Sequence, residues 1–144
     1  QQIRSVEEMK DKTLGAQAGS SGYLDFEAQP DLLKNRVQDQ KANQYQSFNE
    51  ALIDLKNDRI DALLIDRVYA NYYLQSEGIL NDYNVFSAGF ESESFAVGVR
   101  PADKRLLQNL NQAFIALYQE GKFQEISQKW FGEDVATKEV KSRD

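Results

Sequence analysis

Two short stretches and one glutamine carry most of the chemistry that this sequence can offer. Thr13–Gln17 reads as a short strand that runs into Ala18-Gly19-Ser20-Ser21-Gly22, a glycine-serine turn opening a helix. Gly19 and Gly22 allow tight or positive-φ backbone, and Ser20 and Ser21 are residue types that cap helix N-termini. Such a turn gathers backbone N–H groups, hydroxyls and the positive end of a helix dipole, which suits a phosphate or a carboxylate. The turn is neither G-x-G-x-x-G nor a P-loop, because no Lys-Ser or Lys-Thr pair follows its glycines. This argues against a nucleotide site, and we read the turn as a seat for the carboxylate of a free amino acid. Further on, Asp66 is the first polar residue after the apolar run Ala62–Ile65. It offers an acceptor for an ammonium group. Donors at residues 19–21 and an acceptor at residue 66 together complement a zwitterion. Gln17, just before the turn, lies within reach of a ligand side chain.

Each of these residues also has a purely structural reading. Ser20 or Ser21 serves as an ordinary helix cap, Asp66 caps the helix that begins at Arg67, and Gln17 is a plain strand residue. Capping and ligand binding are compatible at Asp66, because one carboxylate oxygen can cap while the other faces a ligand. The aromatics Tyr69, Tyr72, Tyr73, Trp130 and Phe131 fall at helical spacing and read as core rather than as stacking platforms. Glu91 and Glu93 read as a solvated turn rather than as an acid/base pair. The chain contains neither histidine nor cysteine. This excludes disulfides, thiolate nucleophiles and histidine-based acid/base or metal chemistry. No catalytic residue, metal site or cofactor is expected.

The elements that must position these groups alternate. Ser5 with Glu8, and Ser47 with Glu50, have the spacing of capping boxes. A helix from Ser21 stops before Pro30, and Pro30 opens a second short helix through Leu32, Leu33 and Val37. A short strand falls near Ala42–Tyr45. Phe48, Ala51, Leu52 and Leu55 share one helix face. Ala62–Ile65 does not alternate, as expected of a strand buried on both faces of a parallel sheet. A helix follows over Arg67–Glu77, ended by Gly78. Val85–Phe86 and Ser94–Val99 read as further strands, the latter buried. Asp103 caps a helix over Lys104–Glu120, Gly121 ends it, and a last helix covers Phe123–Trp130. Lys138–Asp144 reads as a charged, frayed tail. Strand–helix alternation of this kind argues for an α/β fold with right-handed crossovers, in which ligands sit beyond the carboxyl ends of the strands.

A chain of 144 residues, 41% hydrophobic and 28% charged, has an ordinary globular composition. Its net charge of −6 and lack of a basic patch argue against nucleic acid and acidic membranes as partners. No apolar run approaches a membrane span. The start Gln1-Gln2-Ile3-Arg4 carries no initiator Met or signal peptide and reads as the interior of a longer protein.

With these residues in place the chain resembles the polar amino-acid-binding proteins of ABC importers, the extracellular solute-binding proteins of family 3. These have a periplasmic-binding-protein fold of two α/β lobes. The resemblance rests on Ser5–Lys12, on the turn Gln17–Gly22, on Ile60–Asp66 and Ser94–Val99, and on Gly121–Phe123 with Lys129–Gly132. It implies that Ser20 and Ser21 hold the ligand carboxylate, with Gly19 shaping the turn. Asp66 would pair with the α-ammonium, and Gln17 would lie near the ligand side chain. The family commonly has Thr in the turn, and Ser keeps the hydroxyl. The implied fold is α/β, with one complete lobe and a mostly parallel sheet over 5–94. A hinge strand would follow at 95–100, the returning helices of the other lobe at 101–135, and a flexible tail at 136–144. The first crossing between lobes is missing, so a guanidinium that clamps the carboxylate and the aromatics that sandwich the side chain would lie outside this chain.

The implied function is extracytoplasmic capture of a polar amino acid, glutamine-like or cystine-like, and delivery to a membrane permease. The location would be the periplasm or, as a lipid-anchored lipoprotein with a signal sequence, the cell surface. A sensor module of the same fold and a cyclohexadienyl-dehydratase-like enzyme are the alternatives. With one lobe incomplete, Leu106, Leu110, Phe114 and Leu117 would be uncovered, and a homodimer or domain swap is expected.

Overall fold

The structure, a computed structural model, describes residues 3–141. The chain divides into two compact units, one of residues 3–70 and 79–91, the other of residues 71–78 and 92–141.

The first unit is built on three parallel strands, β1 (Leu14–Gln17), β2 (Ala42–Tyr45) and β3 (Ala62–Leu64), in the order β2-β1-β3. Leu14 pairs with Ala42 on one side and Ala62 on the other, and Ala16 pairs with Gln44 and Leu64. The central strand is the buried one, with Leu14 and Ala16 almost wholly covered. β3 is an edge strand and is only half-buried. The strand buried on both faces expected from its unbroken apolar run is corrected accordingly, since Ala62, Leu63 and Leu64 are each only partly covered.

Helix α1 (Ser21–Ala28) connects β1 to β2, and α2 (Phe48–Lys56) connects β2 to β3 across β1. Leu14 of the sheet packs in a cluster with Met9, Phe26, Leu33 and Val37. On α2, Ala51 is fully buried, and Asp54 accepts a hydrogen bond from the Tyr45 hydroxyl at 2.9 Å. Gly15 keeps this packing close: a Cβ there would lie 2.5 Å from Ile60 Cδ1 and 3.0 Å from Tyr45 Cε2. At the amino ends of the strands, Thr13 and Asp61 clasp each other. The Thr13 amide and hydroxyl donate to Asp61 Oδ2 at 2.8 and 2.7 Å, and the Asp61 amide donates back to the Thr13 carbonyl at 3.0 Å.

Local chemistry explains two departures from the expected helices. Residues 30–36 form successive turns rather than a helix, with the Asn35 amide bonded to the Pro30 carbonyl and that of Arg36 to Leu33. Near the start, Glu7–Met9 is a single 3-10 turn without a side-chain cap, and Glu8 accepts from the Arg4 amide instead of completing a box with Ser5. The second box is nearly as expected. Ser47 Oγ accepts from the Glu50 amide at 3.3 Å, but Glu50 reaches back to the Gln46 amide at 3.1 Å, one residue before the cap.

Helix α3 (Arg67–Ser76) is divided between the units after Ala70. The second unit further contains α4 (Lys104–Gln119), α5 (Lys122–Phe131) and the short α6 (Lys138–Lys141). Gly121 separates α4 from α5 and Gly132 ends α5, with φ of 79° and 72°, conformations that favour glycine. Phe123 packs edge-on against Phe114. Buried Ser127 donates to the Glu133 carbonyl at 2.6 Å and accepts from the Val135 amide at 2.9 Å, tying down the chain after α5.

Three expectations are corrected in this region. Asp103 precedes α4 but makes no capping bond, because its carboxylate receives the Arg100 guanidinium at 2.8 Å. Residues 138–141, expected to fray, form a helical turn whose Lys141 pairs with Asp134 at 3.1 Å, while 142–144 lie outside the described residues. Neither Val85–Phe86 nor Ser94–Val99, the expected hinge strand at 95–100, forms a strand. A strand exists only as part of a ladder, and among the described residues no backbone hydrogen bond joins residues 91–99 to another segment. Phe95 is 77% exposed and Val97 57% exposed.

Candidate functional site

The register of the sheet brings the predicted site residues to one edge. Ala16 pairs with Leu64 in parallel, so the turn that follows β1 and the Ile65-Asp66 step that follows β3 leave adjacent strands at the same carboxyl ends. Gly22 in the first turn of α1 lies against the Leu64 side chain, 3.5 Å from where a Cβ would sit. That is an ordinary contact distance, so a side chain would fit at residue 22, whereas Gly19 has the expected positive φ of 71°.

Within the turn the two serines do different work. Ser20 is the N-cap of α1, and its Oγ accepts from the Tyr23 amide at 3.2 Å while donating to the Gln17 carbonyl at 2.9 Å. A hydroxyl has one proton, so that of Ser20 is engaged within the turn. Ser21 is exposed at the first helical position, and among the described residues its side chain makes no hydrogen bond. The amides of Ser21 and Gly22 belong to the first turn of α1, where no intrahelical acceptor exists. The donors that this turn presents are therefore the Ser21 hydroxyl and first-turn amides.

Asp66 is exposed and caps α3, with Oδ1 accepting from the Tyr69 amide at 2.7 Å. The cap uses one oxygen of a carboxylate that has a second oxygen and further lone pairs. Gln17 is half-buried, and its Nε2 donates to the Gln46 carbonyl at 3.2 Å, bridging the ends of β1 and β2. This bond was not legible in the sequence, because it depends on which strand lies beside β1.

A neighbouring network was also missed. Arg59 donates to Asp54 at 2.9 Å, and Asp54 accepts from Tyr45. The Arg59 bond, followed by that of Tyr45, holds the Asp54 carboxyl below its ordinary range. Burial, followed by the Asp54 bond, raises the Tyr45 phenol. Two grooves in the first unit contain none of the predicted site residues. One is lined by Thr13, Leu14, Gln38, Asp39, Lys41 and Asn43, the other by Tyr23, Glu27, Lys34, Gln40, Lys41, Ala42 and Gln44.

The aromatics expected in the core are on the surface in part. Tyr69, Tyr72 and Trp130 are between 37% and 47% exposed. They pair ring to ring, Tyr69 with Phe48 at 5.3 Å and Tyr72 with Trp130 at 6.2 Å. Glu91 and Glu93 are both exposed. Among the described residues no helix is long and apolar enough to cross a membrane.

The first unit is thus an α/β fold in which a glycine-serine turn and an aspartate follow adjacent parallel strands. Residues 28–133 match the family described as bacterial extracellular solute-binding proteins, family 3, and the chain belongs to that family. The chain is similar to a polar amino acid ABC uptake transporter substrate-binding protein of Streptococcus thermophilus, with 62% identity and a TM-score of 0.83. That match covers 96% of this chain and 53% of the other. A substrate-binding protein of an ABC uptake transporter from Streptococcus pneumoniae, solved with bound histidine, is 70% identical at a TM-score of 0.74, over 94% of this chain and 55% of that one. The arginine-binding protein 1 of an Escherichia coli K12 ABC transporter is 28% identical over 131 residues, 89% of this chain and 51% of the relative. The chain spans about half the length of the relatives it matches.

Proposed function

We propose that this chain provides one binding edge of the extracytoplasmic solute-binding component of an amino-acid ABC importer. The observation that supports the reading is the β1–β3 register, which sets the Gly19–Ser21 turn and Asp66 at the ends of neighbouring parallel strands. In this reading the ligand carboxylate lies at the Ser21 hydroxyl and the first-turn amides of α1, with Gly19 and Ser20 holding the turn in shape. The α-ammonium pairs with Asp66, and Gln17 borders the ligand side chain. Residues 5–94 act as one lobe, 95–100 as the connection, and 101–135 as part of the other. The ligand is a polar amino acid, handed to a membrane permease after the lobes close over it, with contacts that exist only in the closed state. The chain binds rather than transforms its ligand. A chain of this length associates with a second copy through apolar surface left uncovered on its second unit.

Histidine is the ligand to test first, because a 70% identical protein was solved with it. In a titration of the isotopically labelled chain with L-histidine, the amide resonances of residues 19–22 and 66 should shift together. Asp66→Asn keeps a good capping residue but removes the charge. It should leave the melting temperature unchanged and weaken binding about tenfold or more, equivalent to about 1.4 kcal/mol or more. Shifts confined to the groove around Lys34 and Lys41, or unaltered affinity in Asp66→Asn, would overturn the assignment.

A further inference from the structure

Gln17 is pinned at both its backbone and its side chain. Its carbonyl accepts from the Ser20 amide at 3.2 Å and the Ser20 hydroxyl at 2.9 Å, and the next amide, that of Ala18, donates to the Tyr45 carbonyl at 2.8 Å. Its Nε2 donates to the Gln46 carbonyl at 3.2 Å, and the Gln46 amide donates in turn to Glu50 Oε2 at 3.1 Å. Glu50 and Gln46 thus hold the nitrogen end of the Gln17 amide on the β2 side. A carbonyl oxygen bonds only to a donor, so Gln46 also fixes which way round that amide sits. The oxygen, Oε1, is left over. It makes no hydrogen bond among the described residues, and Gln17 is only half-buried. We infer that Gln17 Oε1 is a fixed acceptor for the ligand side chain. The site would then select polar amino acids whose side chains donate an N–H, such as imidazole, guanidinium or carboxamide, over those that end in a carboxylate. The inference deepens the reading proposed above and rests on it for where the ligand lies.

The selection follows from what each side chain would meet. In that reading the charged groups of the ligand lie at residues 19–21 and 66, and its side chain borders Gln17. An N–H brought to Oε1 gains a hydrogen bond, a stronger one where the donor is a cation. A carboxylate brought to the same place sets oxygen against oxygen and is desolvated without a partner. The remaining N–H of the amide stays with the nitrogen held at Gln46. Arg67, the residue after Asp66, is the cation in this stretch that would favour an acidic side chain, and it already has a partner within the chain. The net charge of −6 acts in the same direction, against an acidic ligand.

The test is a titration of the isotopically labelled chain with L-histidine, L-alanine and L-glutamate, read at the amides of residues 19–22 and 66. L-Alanine shares the carboxylate and the ammonium but has no side-chain donor, so it reports the edge alone. The wild type should bind L-histidine about fivefold or more tighter than L-alanine, and L-glutamate more weakly than L-alanine. Gln17→Met, of similar length but without an amide, should bring L-histidine down to the level of L-alanine and leave L-alanine unchanged. Gln17→Lys keeps a donor for the Gln46 carbonyl and sets a cation in place of Oε1. It should reverse the order, with L-glutamate above L-histidine, which a mere loss of stability cannot do. If no amino acid moves residues 19–22 and 66, the binding edge proposed above is overturned and this inference with it. If the wild type binds all three alike, binds L-glutamate more tightly than L-alanine, or keeps its preference for L-histidine in Gln17→Met, the acceptor role of Gln17 is overturned while the binding edge stands.

Discussion

Ser20 makes two hydrogen bonds with one hydroxyl, and that economy separates it from its neighbour. Replacing Ser20 by Ala removes the cap of α1 and the bond to Gln17, and should cost about 0.5–2 kcal/mol of stability in urea unfolding. Ser21→Ala touches no bond of the fold and should leave the unfolding midpoint unchanged while weakening histidine binding. Asp61 gives a pH signature. Burial raises its carboxyl, but the Thr13 hydroxyl and amide bonds, with Lys12, outweigh this and set it below the ordinary value of 3.8. A depressed carboxylate stabilises the fold above its unfolded pKa, and that contribution fades as pH falls through its folded pKa. The stability gap between wild type and Asp61→Ala should therefore be constant above about pH 5 and shrink below about pH 4, as measured by denaturant unfolding at each pH.

At the scale of elements, the central strand depends on a residue with no side chain. Gly15→Ala would drive a Cβ toward Ile60, which is 2% exposed, and toward the Tyr45 ring. The buried isoleucine has little room to yield, so overpacking should cost about 1–3 kcal/mol in chemical denaturation. Local signals served the helices well. Ser20 and Ser47 cap where their residue types suggested, and Gly78 and Gly121 end helices with positive φ. Caps and glycine stops act over three or four residues, so the sequence window contains the whole interaction. Pro30 shows the limit of this logic. Its fixed φ suits a helix start, yet residues 30–36 form turns, because the packing of Leu33 and Val37 beneath Phe26 and Met9 decides the path of the chain.

For the whole molecule, Leu106, Leu107 and Leu117 of α4 are 48%, 43% and 41% exposed. Leu106→Gln and Leu117→Gln should change stability by less than about 0.5 kcal/mol each, because both side chains are already exposed. They should reduce binding of a hydrophobic dye and lower the tendency to associate at high concentration. Ser94–Val99 reads as a strand and is not one here. Alternation reports that a segment is suited to a ladder, whereas a ladder needs a second segment at hydrogen-bonding distance.

The sequence by itself determined the helix limits at the capping residues, the alternation of strand and helix, and the residue types able to hold a carboxylate and an ammonium. All of these depend on contacts within a few residues. Only the tertiary structure decided the strand order β2-β1-β3, the edge position of β3, and the step from Ala16 to Leu64 that brings Gly19–Ser21 and Asp66 to one edge. It also decided that the Ser20 proton is committed to Gln17, so that Ser21 is the serine facing outward. Each of these depends on which distant backbone lies alongside. That choice is made by burial and hydrogen-bond pairing across the whole chain, which no local pattern encodes.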